Sequence, residues 1–225
     1  MSQILLVRHG QASWGSDDYD VLSTLGEEQS RILGKALAER GIVPDVVVRG
    51  AMKRHRQTAE LAMAGGGWQG DGAAEVEVDD GWNEFDHVQM LSMHPSSYGH
   101  GEEMSRAEFQ RWFEEATLRW TGGAFDHDYD EPFTDFGARV DAALRRTAER
   151  LGPNQTALVF TSGGPVSWVA SSLLGGGADV WTQLNPVTIN ASVSKVVVGR
   201  RGSTLVSLND HSHLEAAGTG FITYR

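Results

Sequence analysis

The sequence predicts an α/β protein: a mostly parallel sheet with helices on both faces and a helical cap inserted part-way along. Three observations carry this. The runs Ile4-Leu5-Leu6-Val7, Asp45-Val46-Val47-Val48 and Ala157-Leu158-Val159-Phe160 read as buried strands. Segments of helical period alternate with them, the rhythm of βα units. Polar residues follow the strands, and ligands of such sheets bind beyond the strands' carboxyl ends.

The elements follow in order. Arg8 and His9 leave the first strand and are expected in the crevice, with Gly10 turning the backbone away. Residues 11–23 carry Gly, Ser, Asp and Tyr and read as a loop over the site. Thr24-Leu25-Gly26-Glu27 reads as a capping box opening a helix that Gly41 closes. After the second strand, residues 52–64 have helical period. A Gly-rich turn over 65–72 leads to Glu75-Val76-Glu77-Val78-Asp79, whose alternation predicts an edge strand.

From 82 to 133 the rhythm breaks, and this stretch is assigned to the cap insertion of a single 1–225 domain. Ser105 and Glu108 form a second capping box ahead of the stripe Phe109, Trp112, Phe113, Ala116 and Trp120. The plain reading of that stripe is a helix packed on the body. Together with His87 and His100, the aromatic residues Trp112, Phe113 and Trp120 are also the expected wall of the site's mouth. A helix over 135–151, the strand at 157–160 and a helix from the Gly163-Gly164 turn to Leu174 resume the rhythm. Ser192–Val198 and Thr204–Leu208 flank a Gly-bounded turn and read as a hairpin, the first strand being either an edge or an interface.

The totals narrow the function. With 225 residues, the chain is long enough for a core without staples. It has no cysteine, which excludes disulfides and thiolate chemistry and fits a cytoplasmic protein. Met1-Ser2-Gln3 runs straight into the first strand, so no signal peptide is expected. No apolar run approaches the ~20 residues that span a bilayer. A net charge of −11 argues against nucleic acid or anionic membrane as partners. An anionic ligand would have to be held by a few focused cations. Lys53-Arg54-His55-Arg56-Gln57-Thr58-Ala59 supplies some of them: basic side chains at a helix start are electrostatically misplaced unless an anion joins them. Guanidinium forks match phosphate oxygens. A solvated basic turn is the competing reading. His211 and His213 are spaced as two metal ligands, but no third ligand follows at a recognisable spacing, so a polar turn is favoured and no metal site is assigned.

Taken together, six segments resemble the histidine phosphatase superfamily, or phosphoglycerate mutase-like family, in the right order along nearly the whole chain. They are Leu5-Leu6-Val7-Arg8-His9-Gly10-Gln11-Ala12, Leu22-Ser23-Thr24-Leu25-Gly26-Glu27-Glu28-Gln29, Lys53 to Glu60, Trp82-Asn83-Glu84, Val159-Phe160-Thr161-Ser162-Gly163-Gly164-Pro165, and Leu208 to Leu214. The resemblance implies a phosphoglycerate mutase-like fold and a metal-independent phosphatase without cofactor, acting on a small phosphorylated substrate through a phosphohistidine at His9. Arg8 and Arg54 would neutralise the phosphoryl charge, joined in binding by Gln11, Ser162 and Gly163. Glu84 would protonate the leaving oxygen, with Asp86 in reserve.

One departure stands out. The family usually carries a second histidine after the fourth strand, and Ser162 stands there instead. That leaves two readings open: catalysis at reduced rate, with His55, His87 or His213 moved into the gap, or a phosphoryl-ligand binding or regulatory protein with impaired turnover. Ser162 itself is not expected to be the nucleophile, because no base is evident beside it in the sequence. The mutase branch carries an Asn in the segment after its Arg-His-Gly, and Gly15 is the nearest residue here, so hydrolysis is favoured over a phosphomutase. A homo-oligomer is neither predicted nor excluded.

Overall fold

The computed structural model describes residues 1–13, 20–96 and 104–224. Six strands form one sheet: β1 (Ser2–Arg8), β2 (Val46–Arg49), β3 (Val76–Val78), β4 (Thr156–Thr161), β5 (Val193–Gly199) and β6 (Gly202–Asp210), in the order β3-β2-β4-β1-β5-β6. The pairs β2–β3, β2–β4 and β1–β4 are parallel, while β1–β5 and β5–β6 are antiparallel. The predicted class, a mostly parallel sheet in an α/β protein, is the observed one. The alternative placing Ser192–Val198 at an edge does not hold, because β6 covers β5 and is itself the edge.

Alternation along the strands divides the core in two. Ile4 and Leu6 point to one face with Val48, Ala157 and Val159. Leu5 and Val7 point to the other with Val47, Leu158 and Phe160. This is the period of 2 that a strand imposes. Each such fully buried aliphatic side chain contributes about 1.5–3 kcal/mol. Helices α1 (Thr24–Glu39) and α2 (Lys53–Gly65) cover the second face through Leu33, Leu37, Ala59, Ala62 and Met63. The first face is covered by α5 (Phe133–Glu149), α6 (Gly163–Leu174) and α7 (Gly177–Leu184), the last a helix that the Gly175-Gly176-Gly177 run concealed.

Between β3 and α5 lie α3 (His87–Ser92) and α4 (Arg106–Thr121). The Ser105–Glu108 capping box is present as predicted. Ala116 and Trp120 are buried, and Trp120 stacks on Phe85 at a ring-centroid distance of 4.8 Å. Trp120 is therefore core rather than the wall of a mouth, while Phe109, Trp112 and Phe113 are only partly covered. His100 and residues 14–19 of the expected 11–23 loop, Gly15 among them, lie outside the described residues. A last helix, α8 (Ser212–Ala217), follows β6 and was not foreseen.

The α1 cap differs from the prediction by one residue. Ser23, not Thr24, is the N-cap, and its hydroxyl accepts from the Gly26 N–H at 3.0 Å. The same hydroxyl donates to Gln11 Oε1 at 2.9 Å, so the cap also ties α1 to the loop after β1. That loop approaches α1 closely. A Cβ on Gly10 would lie 2.9 Å from Ser30 Oγ and closer still to the Gly26 carbonyl.

Candidate active site

The sheet order places the carboxyl ends of β2, β4 and β1 side by side. His9 follows β1, and its N–H donates to Thr161 O of β4 at 2.8 Å. Its own carbonyl accepts from Ala191 N at 3.1 Å and Asn190 Nδ2 at 3.2 Å. Ala191 makes its contact with φ at 55°, a left-handed conformation that costs a non-glycine residue on the order of 1 kcal/mol. The imidazole is buried, and its Nδ1 lies 2.7 Å from Gly10 O. A carbonyl only accepts, so Nδ1 carries the proton and Nε2 carries the lone pair. Burial first, then the charges of Arg54 and Arg8, hold this histidine well below the usual imidazole pKa. It is neutral at neutral pH.

Arg8 Nη1 donates to the carbonyls of Thr188 and, at 2.9 Å, Tyr224. The C-terminal segment thus fixes one side of this guanidinium. Gln29, wholly buried, anchors the same segment through Phe221 O at 2.8 Å and Thr223 Oγ1 at 2.9 Å. Arg54 is buried on the first turn of α2, whereas Arg56 points outward towards Glu60. Of the two basic side chains, only Arg54 faces inward. Asp20, which the sequence did not single out, accepts from Arg54 Nη1 at 2.9 Å and from Lys53 N at 2.8 Å. An acidic side chain at that helix start is what the helix dipole favours.

Glu84 and Asp86 separate cleanly. Asp86 is exposed and caps α3, accepting from Val88 N and Gln89 N at 3.0 and 2.9 Å. The Glu84 carboxylate instead lies at the N-terminus of α6, accepting from Gly164 N at 3.2 Å and Phe85 N at 3.3 Å. Burial raises its pKa, against the opposing pull of Arg54, the Gly164 N–H and Arg8. A buried carboxyl whose pKa is raised, close enough to two guanidiniums to feel both, is suited to a proton-donating role. Gln11 lies at the rim, with its N–H on Gln29 Oε1 at 2.8 Å and its side-chain oxygen taken by Ser23. Gly163 is beside Arg8, whose Nε would be 3.5 Å from a Cβ there.

Ser162 is fully buried and has an imidazole beside it that the sequence spacing did not show. His55 Nε2 is 2.7 Å from Ser162 Oγ, and the His55 ring centroid is 5.8 Å from that of His9. His213 does not fill this place, since its Nε2 faces Ala191 O at 3.0 Å. His211 Nδ1 faces Asn209 O at 2.7 Å. His87 opens α3 and has its pKa lowered by burial and by Arg54.

The family model for the histidine phosphatase superfamily (branch 1) matches residues 4–211. The chain belongs to that superfamily. Among curated relatives, a 2,3-bisphosphoglycerate-dependent phosphoglycerate mutase of Thermobifida fusca is 43% identical over 70 residues, 28% of each chain. One from Rhizobium meliloti is 30% identical over 150 residues, 61% of this chain and 62% of its own. The chain therefore spans less than two thirds of the length of these mutases. A solved phosphoserine phosphatase from Entamoeba histolytica, in complex with phosphoserine, superposes with a TM-score of 0.68 at 16% identity, covering 95% of this chain and all of that one. A phosphoglycerate mutase from Bacillus anthracis gives 0.67 at 18% identity, covering 94% of each chain. At such identities the structures establish the fold alone. Family and neighbours together support an enzyme acting on phosphate esters, of which both phosphatases and mutases are examples. Among the described residues, no helix is long and apolar enough to cross a membrane.

Proposed function

We propose that the chain is a phosphomonoesterase that passes the phosphoryl group of a small phosphorylated substrate to His9 and then to water. The observation that carries this reading is the His9–Gly10 carbonyl bond, which leaves a neutral imidazole with a free Nε2 lone pair in the field of Arg54 and Arg8. Nε2 attacks phosphorus, the P–N bond forms and the ester P–O bond breaks. Arg8 and Arg54 meet the charge spread over the phosphoryl oxygens, work that in other enzymes falls to a metal. Glu84 gives its proton to the leaving alkoxide. The carboxylate left behind then takes a proton from the water that attacks the phosphohistidine, which restores both residues.

The test is release of p-nitrophenol from p-nitrophenyl phosphate in the presence of EDTA, compared with His9→Ala. It runs from about pH 5 to pH 8, a span that brackets the ordinary imidazole pKa. Release well above the variant is expected. Equal release by both proteins refutes the reading. The mutase reading is favoured by the Thermobifida fusca and Rhizobium meliloti relatives, both phosphoglycerate mutases. It predicts phosphoryl transfer between positions of one acceptor in preference to water.

A further inference from the structure

We infer that His55 and Ser162 work as one hydrogen-bond donor to the phosphoryl group in transfer: the His55 imidazole positions the Ser162 hydroxyl, and that hydroxyl donates to a phosphoryl oxygen as His9 Nε2 bonds to phosphorus. This rests on the phosphohistidine reading above and deepens it. Ser162 is the catalytic residue of the pair and His55 the positioning residue.

The placement follows from the chain. His55 is the third residue of α2, on the face that buries Ala59 and Ala62. It therefore points at the sheet rather than at solvent, and it is wholly buried. Ser162 is the N-cap of α6, where a serine ordinarily accepts a backbone N–H of its own helix. Here the side chain makes no such bond, and its partner is His55 Nε2 at 2.7 Å. The hydroxyl has left its local role for a bond to an imidazole whose ring centroid is 5.8 Å from that of His9, and His9 itself bonds to Thr161, the residue before Ser162.

His55 Nδ1 is buried without a hydrogen-bond partner among the described residues. It is packed against Gly50, where a Cβ would lie 2.9 Å from Cε1 and nearer still to Nδ1. Burying an N–H without a partner costs more than burying a lone pair. The favoured tautomer therefore carries its proton on Nε2 and donates to Ser162 Oγ. A hydroxyl that accepts there has its own O–H left to give. The reverse arrangement, Ser162 donating to Nε2 as an activated nucleophile, would place an N–H at the orphaned Nδ1 position. No proton is transferred by the pair. The P–N bond forms, the P–O bond breaks, the leaving oxygen takes its proton from Glu84, and the pair contributes one directed dipole.

Rapid-quench labelling of His9 with 32P-labelled p-nitrophenyl phosphate tests this, alongside urea unfolding to confirm that each variant is folded. Ser162→Ala and His55→Leu are each expected to slow labelling about 100-fold, the usual effect of removing one preorganised donor. KM should change far less than kcat. The double variant is expected to be within about threefold of either single one, because the two residues act as a unit. His55→Gln keeps an N–H near the Nε2 position but cannot act as a base, and it should stay within about tenfold of wild type. Equal damage from Gln and Leu at 55, or losses that multiply in the double variant, would overturn the pairing. So would an acid-stable, base-labile label that disappears in Ser162→Ala, since that is phosphoserine. Absence of any acid-labile label on the wild-type protein would overturn the phosphohistidine reading and the pairing with it, and would be seen before any variant is made.

Discussion

Gly50→Ala is the most searching perturbation of this site, because Gly50 has no side chain of its own and its close packing against His55 leaves no room for one. The β-carbon it introduces would lie 2.9 Å from His55 Cε1 and 2.8 Å from Asn83 Oδ1. Ordinary contact begins near ~3.5 Å, so the ring must retreat by roughly half an ångström or more. The imidazole is wholly buried and is held at its far edge by Ser162, which leaves no easy direction of escape. Overpacking of this kind costs about 1–3 kcal/mol. For a chain of this size each kcal/mol lowers Tm by about 2–4 °C. Displacing the Ser162 hydroxyl by a comparable distance should slow phosphoryl transfer, approaching the ~100-fold that a 1 Å misplacement costs. The assay is a pair of measurements, thermal unfolding and the p-nitrophenol burst, on Gly50→Ala alone and in a His55→Ala background. Part of the stability cost should vanish in that background, since the His55 contacts are gone and the 2.8 Å Asn83 contact remains. A Gly50→Ala protein with unchanged Tm and burst, or a cost undiminished without His55, would refute the reasoning.

Two further outcomes follow from the ionisable groups. Glu84→Gln should lower kcat by about 10²–10⁴-fold on alkyl phosphates, whose leaving alkoxide needs a proton, but far less on p-nitrophenyl phosphate, whose leaving group does not. An equal loss on both substrates would show that the carboxyl is not the acid. His9 and His55 both have folded pKa values well below 6.5, chiefly through burial. The unfolded chain therefore binds the extra protons once pH falls below that value. Stability is fully present above it and declines on acidification, by about 1.4 kcal/mol per pH unit for each such imidazole. Urea unfolding of His55→Gln should show a slope shallower by that amount, and parallel curves for variant and wild type would exclude the buried neutral state.

The sheet was legible because its strands are runs of buried aliphatic residues, and period and boundary signals suffice for those. β1, β2 and β4 lie within a residue or two of their predicted ranges. Glycine misled in one place. Gly175-Gly176-Gly177 closes α6 as expected, yet Gly177 also begins α7, whose buried Trp181 donates to Gly164 O at 2.9 Å. Tertiary packing overrode local propensity there. The inward turn of Arg54 could be anticipated from helical spacing. Asp20 could not, since a lone acid in a polar loop carries no signal of the partner it will meet. The resemblance put Glu84 ahead of Asp86, two residues apart, and the capping bonds of Asp86 and the α6 amide on Glu84 supply the physical distinction that the sequence lacked. His55 was one of three candidates for the gap opposite His9, and the 2.7 Å contact with Ser162 is what points to it.

That selection has a topological cause. β4 lies between β1 and β2, with Val159 paired to Val48 on one side and Phe160 to Val7 on the other. The residue after β4 is therefore flanked by His9 from the β1 side and by the first turn of α2 from the β2 side. A donor opposite His9 can be mounted on the β4 end itself or reached from α2, and the distance between those mounts is about one side chain. Placing the imidazole on α2 requires a small residue where β2 gives way to the helix and a short hydroxyl at 162. Gly50 and Ser162 are those residues. Restoring the other arrangement, with His55→Ala and Ser162→His together, should keep phosphoryl transfer within about tenfold of wild type, whereas His55→Ala alone should lose about 100-fold. If the double exchange transfers no faster than His55→Ala, the two mounts are not equivalent and the pair does more than supply one donor.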